Sequence, residues 1–136
     1  MGLVHDFGRI VTNCPYAHAY EGYKLMKEMG NPDLARICVC HSNGTYRPED
    51  LASYGLKPED FFCETLEEKL VFMADNMDYR GKLTRNDQRI LQTVERYKQS
   101  NPEFVPVLLS KLEEFDAFNR EIKNICGMSV YDILNI

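Results

Sequence analysis

The sequence holds no run approaching the roughly 18 apolar residues that a membrane span needs. It has no basic segment leading into an apolar stretch at its start. No membrane anchor or secretory leader is expected, and the cytoplasm is the expected location. Positive charge is also short, with 16 Lys and Arg against 21 Asp and Glu for a net charge of -5. Duplex nucleic acid is therefore not expected as a partner, because such binding neutralises many phosphates with basic side chains. A small anionic substrate stays open, since a bound cation can supply local positive charge. The five cysteines, at 14, 38, 40, 63 and 126, lack the paired spacing of a disulfide framework or zinc module. Reduced thiols follow. Cys38, Cys40 and His41 form a C-x-C-H string, but residues two apart on a helix diverge by roughly 200° and do not share a metal. Strands are not expected either, because no segment alternates strictly between apolar and polar.

What is present is helical periodicity, in a chain of 136 residues that is the size of one domain. The fold class expected is all-α. Gly2 to Val11 reads as the end of one helix, broken at Thr12-Asn13-Cys14-Pro15. A second helix runs from about Tyr16 to Met29 with His18, Gly22, Leu25, Met26 and Met29 on one stripe, and Gly30 ends it. Asn31 as N-cap and Pro32 at the first position open a third, whose stripe is Leu34, Ile37, Cys38 and His41. Residues 42 to 64 are loop-rich, with short helical turns expected at Pro48 and Pro58. Thr65-Leu66-Glu67-Glu68 has the form of a capping box and starts a helix to about Asp78 that buries Leu66, Leu70, Val71, Met73, Ala74 and Met77. A further helix spans about Thr84 to Lys98, with Ile90, Leu91, Val94 and Tyr97 inward. A long last helix runs from Asn101-Pro102 to about Cys126, with Ile125 among its buried residues, and Val130 to Leu134 forms a closing turn.

Chemistry concentrates at His5-Asp6, an adjacent pair in an apolar segment followed by Gly8 and Arg9. Neither residue belongs beside a core without a partner. Imidazole nitrogen with carboxylate oxygen suits Mn, Fe, Co, Ni or Zn better than calcium. The plainer alternative is a helix-end histidine beside an acid that pairs with Arg9. For His18 and His41, both on inward stripes, the plainer alternative is a core histidine bonded to a backbone carbonyl.

In order and setting these residues resemble the HD-domain superfamily of metal-dependent phosphohydrolases. His5-Asp6-Phe7-Gly8-Arg9 is close to that family's His-Asp-Ile-Gly-Lys pattern. His18 with Glu21-Gly22-Tyr23-Lys24-Leu25-Met26, then Ala35 to Ser42 with His41, then Thr65 to Asp75 continue it. The resemblance covers roughly residues 1 to 92, which makes that span the motif-bearing core of one HD-like domain and 93 to 136 a C-terminal helical extension. It implies an HD-domain-like helical bundle with His5, Asp6 and Asp75 as metal ligands, and His18 and His41 on a second ion or on substrate phosphate. Arg9 suits a phosphate oxygen pair, and Lys69 is a second candidate for substrate charge. The implied reaction is hydrolysis of a phosphate ester or anhydride of a small, nucleotide-like substrate. A divalent metal (Mn, Fe, Co, Ni, Zn or Mg) would activate the attacking water, with Asp6 or Asp75 as an acceptor for its proton.

The resemblance also implies an upstream helix carrying a first ligand His, and no histidine precedes His5. A shortened chain, a decayed enzyme, a ligand from another chain or a weaker working site would each account for that. The alternative function is a catalytically inactive HD-like domain that binds a ligand or dimerises, a homodimer being one way to cover the surface the missing helix would leave bare. A plain helical scaffold is the third reading.

Overall fold

The computed structural model describes residues 2–136. They are mostly helical, as the periodicity requires, and the longest helix comes late in the chain. Two compact units divide them, one ending at Phe72 and the other starting at Met73.

In the first unit, α1 spans Ala17–Glu28, α2 Pro32–Cys40 and α3 Pro48–Tyr54, while α4, Leu66–Asp75, begins there and ends in the second. The segment expected to end a helix is instead two 3-10 turns, Gly2–Val4 and Phe7–Ile10, and Leu3 and Ile10 are exposed. Gly8 supplies the reason. A Cβ on Gly8 would lie 1.9 Å from the His18 carbonyl oxygen and 2.5 Å from the Gly22 nitrogen, so this backbone lies directly on α1. Gly22 in turn faces α2, where its Cβ would meet Cys38 Sγ at 3.0 Å. Three chain segments thus approach through two glycines and a cysteine, closer than larger side chains permit.

Punctuation works largely as the residue types demand. Pro32 and Pro48 stand at helix starts, Gly30 and Gly55 take positive φ at helix ends, and residues 58–61 form a 3-10 turn. Asn31 does not cap α2 through its side chain, which donates to the Met29 carbonyl. At α4 the capping box forms: Glu68 N–H donates to Thr65 Oγ1 at 3.2 Å, and Glu68 Oε2 accepts from Thr65 N–H at 3.2 Å. The same buried carboxylate accepts from Glu64 N–H at 2.6 Å and pairs with Arg36, Nε to Oε1, at 2.6 Å. One apolar cluster joins Ala19, Tyr20, Val39, Leu51, Leu56 and Phe61. The Tyr20 hydroxyl inside it accepts from Arg47 N–H at 2.7 Å, and burial pushes that phenol up to about 12.

In the second unit α4 ends at Asp75, three residues short of expectation, and a hairpin follows with β1 Asp78–Tyr79 and β2 Lys82–Leu83. This small antiparallel pair corrects the expectation of no strands. Its loop, Arg80-Gly81, has positive φ at both residues, 55° and 76°, as a type I′ turn requires. Two-residue strands are too short to leave an alternation signal. Helix α5 spans Asn86–Ser100, α6 Val105–Cys126 and α7 Val130–Leu134. Ile90, Val94, Phe104, Leu108, Phe115 and Ile122 are buried, whereas Leu91 and Ile125, expected inward, are exposed, as are Leu70 and Ala74 of α4. Asn86, fully buried, donates to the Met73 carbonyl at 2.8 Å and accepts from the Tyr131 hydroxyl at 3.3 Å.

Gly8→Ala is expected to cost about 3 kcal/mol, the upper range for overpacking against rigid neighbours, whereas Gly2→Ala, with open space around its Cβ, leaves the urea midpoint where it was. Equal midpoints for the two variants would show that the close approach does not matter. Glu68→Gln should cost about 2–3 kcal/mol, because Arg36 then loses its buried carboxylate and keeps only the exposed one of Glu64 at 3.4 Å. Arg36→Met combined with Glu68→Gln is expected to recover part of that loss in the same measurement.

Candidate functional site

The close approach of the Gly8 segment, α1 and α2 sets three histidines around one carboxylate. Asp6 Oδ1 lies 3.1 Å from His18 Nε2 and 3.6 Å from His41 Nε2, while Oδ2 lies 3.8 Å from His5 Nε2 and 3.0 Å from Arg9 Nε. His18 and His41 are buried, and Asp6 and Arg9 are open to solvent by 40% and 45% of their side-chain surface, so the cluster has a wet mouth. The rings of His5 and His41 meet edge to face at 4.9 Å.

Each imidazole is oriented from behind. His5 Nδ1 donates to the Gly2 carbonyl at 2.5 Å, His18 Nδ1 to Cys14 at 3.2 Å and His41 Nδ1 to Ile37 at 3.2 Å. A carbonyl only accepts, so each Nδ1 carries the proton and each Nε2 faces the cluster. The carbonyl bonds of the plainer alternative are thus present, and the rings converge as well. His18 Nε2 and His41 Nε2 stand 3.2 Å apart, and Asp6 Oδ1 lies beside both. Burial pulls Asp6 upward, but hydrogen bonds from His18 and Arg9, and their charge, outweigh it and hold the carboxyl well below the usual carboxylate range.

Five of the seven residues singled out in the sequence, His5, Asp6, Arg9, His18 and His41, therefore meet in the first unit. Lys69 is half-buried on α4, and Asp75 ends that helix within the second unit. Ligand atoms of His5, Asp6 and His41 lie within 4.8 Å of one another, the spacing of a cation site. The Cys38 thiol donates to the Val4 carbonyl at 3.3 Å and that of Cys40 to Ile37 at 3.8 Å, in line with the divergence expected for C-x-C; burial pushes Cys38 up to about 12. All five cysteines are free thiols. Among the described residues no helix is long and apolar enough to cross a membrane.

Comparison with known proteins changes the functional reading. A tRNA (cytidine(56)-2'-O)-methyltransferase of Picrophilus torridus is 30% identical over 132 residues, 96% of this chain and 36% of that protein. A protein of the same name from Thermoplasma volcanium is 30% identical over 117 residues, 83% of this chain and 32% of its own length. The protein of Methanocaldococcus jannaschii named Uncharacterized protein MJ0778 is 31% identical over 125 residues, 91% of this chain and 69% of that one. The chain thus spans about a third of the two methyltransferases it matches. No family model matches it, and no solved structure matches significantly.

These relatives overturn the HD-phosphohydrolase resemblance, the hydrolase activity drawn from it, and the alternative of an inactive HD-like ligand-binding or dimerising module. The divalent-metal cofactor falls with them, because it entered only to activate water for hydrolysis, and methyl transfer has no such step. The small phosphorylated substrate and the homodimer likewise lose their basis. The expectation of no duplex nucleic acid as partner is corrected too, since the two methyltransferases are named for tRNA. A net charge of -5 is an average over the chain and hides local runs of the opposite sign.

Two results are expected at the cluster. Long-range proton–nitrogen spectra will show Nδ1 protonated in all three histidines, and an Nε2–H tautomer of His18 or His41 would break the orientation argument. Because Asp6 is depressed from its ordinary 3.8, its contribution to stability is complete above that pH and is lost as the pH falls below it. Acid titration of Asp6→Asn should lack that part of the stability loss, and should cost about 1 kcal/mol at neutral pH for a half-exposed partner.

Proposed function

This chain belongs to the family of the Methanocaldococcus jannaschii protein MJ0778, and from that premise we propose that it takes part in ribose 2′-O-methylation of tRNA in the cytoplasm. What supports the reading is that 96% of the chain aligns with a tRNA (cytidine(56)-2'-O)-methyltransferase at 30% identity. Partners on this reading are tRNA and the methyl donor, S-adenosylmethionine.

An adenosine-bearing cofactor is commonly cradled by glycines where backbone approaches ligand, and six of the eight glycines here form no such cradle. Gly8 and Gly22 are filled by the chain's own backbone and Cys38, while Gly30, Gly55, Gly81 and Gly127 stand in open space at helix ends and turns. We therefore assign this chain the handling of tRNA and derive no step through the donor.

Within that role the first unit offers imidazoles held at Nδ1 by carbonyls with their Nε2 atoms gathered at a carboxylate, bases of the kind that take up a proton from a hydroxyl. His5, Asp6, Arg9, His18 and His41 are proposed to meet the RNA there, and Lys69 and Asp75 are given no part. Deleting the gene for this chain in its native organism should remove 2′-O-methylcytidine from bulk tRNA, read by nucleoside mass spectrometry, and a plasmid copy should restore it. Unchanged methylation in the deletion would end the proposal. Full restoration by His18→Asn would remove the cluster from it while leaving the tRNA reading in place.

A further inference from the structure

The hairpin of the second unit carries features that its fold does not ask for. Between residues 78 and 89 lie four basic side chains, Arg80, Lys82, Arg85 and Arg89, against two acids. Both acids are engaged: Asp78 Oδ1 accepts from Gly81 N–H at 2.9 Å, and Asp87 pairs with Arg85 at 3.3 Å. Arg80 and Lys82 are exposed, and neither pairs with a carboxylate among the described residues. In a chain of net charge -5 this is a local reversal of sign.

Arg80 is also costly where it stands. It has φ 55° at the first loop position of a type I′ turn, where Asn or Gly is sterically cheaper. A turn selected for stability alone would not hold an arginine there, so a strained non-glycine residue points to use. The guanidinium lies over the Tyr79 ring at 5.3 Å, with that of Arg89 over the same ring at 5.4 Å, and Arg85 lies over Tyr131 at 4.1 Å. Arg89 is fixed further by donating to the Asp78 carbonyl at 2.8 Å. Guanidinium planes held on aromatic rings present both charge and a stacking face, the pairing that meets phosphates and unstacked bases in single-stranded RNA.

We propose that the hairpin Asp78–Leu83 and the start of α5 form an RNA-binding surface that takes the phosphate backbone and an unstacked base of a tRNA loop. Arg80 and Lys82 are its exposed cations, without an acidic partner among the described residues, and Arg85 and Arg89 are its ring-stacked supports. The inference deepens the tRNA reading and rests on it.

The test measures binding of a fluorescent, unmodified tRNA transcript to the full chain across a series of salt concentrations. Arg80→Asn should melt no lower than wild type and bind more weakly, separating affinity from folding. Arg80→Asn with Lys82→Thr should bind about tenfold more weakly and flatten the salt slope by about two, as expected for two lost phosphate contacts. Lys24→Gln with Lys27→Gln, exposed cations on α1, should change neither. The surface is overturned if the hairpin variants bind as wild type does, if the α1 variants weaken binding equally, or if wild type does not bind tRNA at all. The methylation readout in the deletion strain is separate, so loss of this surface and loss of the tRNA reading remain distinguishable.

Discussion

The first unit depends on backbone touching backbone at Gly8. With the Gly8 nitrogen 3.1 Å from where a Cβ on Gly22 would stand, and Gly22 itself against Cys38, there is no thickness left for ordinary side chains. The histidine cluster follows from that thinness. His5 and Asp6 precede Gly8, His18 lies one turn before Gly22, and His41 follows Cys38 by three residues. Each therefore sits one turn or less from a contact point and projects past it into the same space. A larger residue at either glycine would part the segments and separate the imidazoles, so packing and site are one constraint.

Burying such groups has a cost, and the chain meets it locally in both units. His18 and His41 each give their Nδ1 proton to a carbonyl one turn back in their own neighbourhood. Glu68 satisfies two backbone N–H groups and a guanidinium with one carboxylate. Asn86, fully buried, ties the end of α4 to Tyr131 of α7 within the second unit. A buried amide or carboxylate left without such partners would cost about 1–3 kcal/mol, which is comparable to the effect of a typical destabilising mutation. These residues specify which segments meet more than they add stability.

Much of the helical framework was legible because its boundaries are chemical. Pro32, Pro48, Gly30, Gly55, Gly127 and the Thr65-Glu68 box act through local sterics and hydrogen bonds that a sequence displays directly. The 3-10 turns at the start were not legible, because their conformation is dictated by α1 lying against Gly8, a contact distant in sequence. The hairpin escaped for a different reason: two-residue strands have no period, and Arg-Gly is a weaker turn signal than Asn-Gly. The convergence of His5, Asp6, His18 and His41 could be anticipated from inward stripes, whereas the chemistry attached to it could not. A carboxylate among imidazoles is compatible with several reactions, and it was the relatives, two of them named tRNA methyltransferases, that removed the hydrolase reading. The expectation of no duplex nucleic acid rested on whole-chain charge, which averages over local runs of the opposite sign.

The two polar places in this molecule break local rules in opposite ways. Around Asp6 the chain buries His18 and His41, half-buries His5 and Asp6, and satisfies each one, which suits a cluster whose geometry must be held fixed. At Arg80 it leaves a cation exposed on a strained backbone, satisfied by nothing but an aromatic face, which suits a group waiting for an external partner. Sequences otherwise agree with their own fold at every level, and violations without compensation gather where function requires them. On that criterion Arg80 carries the stronger functional signal of the two, although it belongs to no motif and the histidines catch the eye first. The buried cluster could persist for packing alone, because Gly8 and Gly22 already demand that these segments meet. Nothing in the packing of the hairpin demands an arginine at its tip.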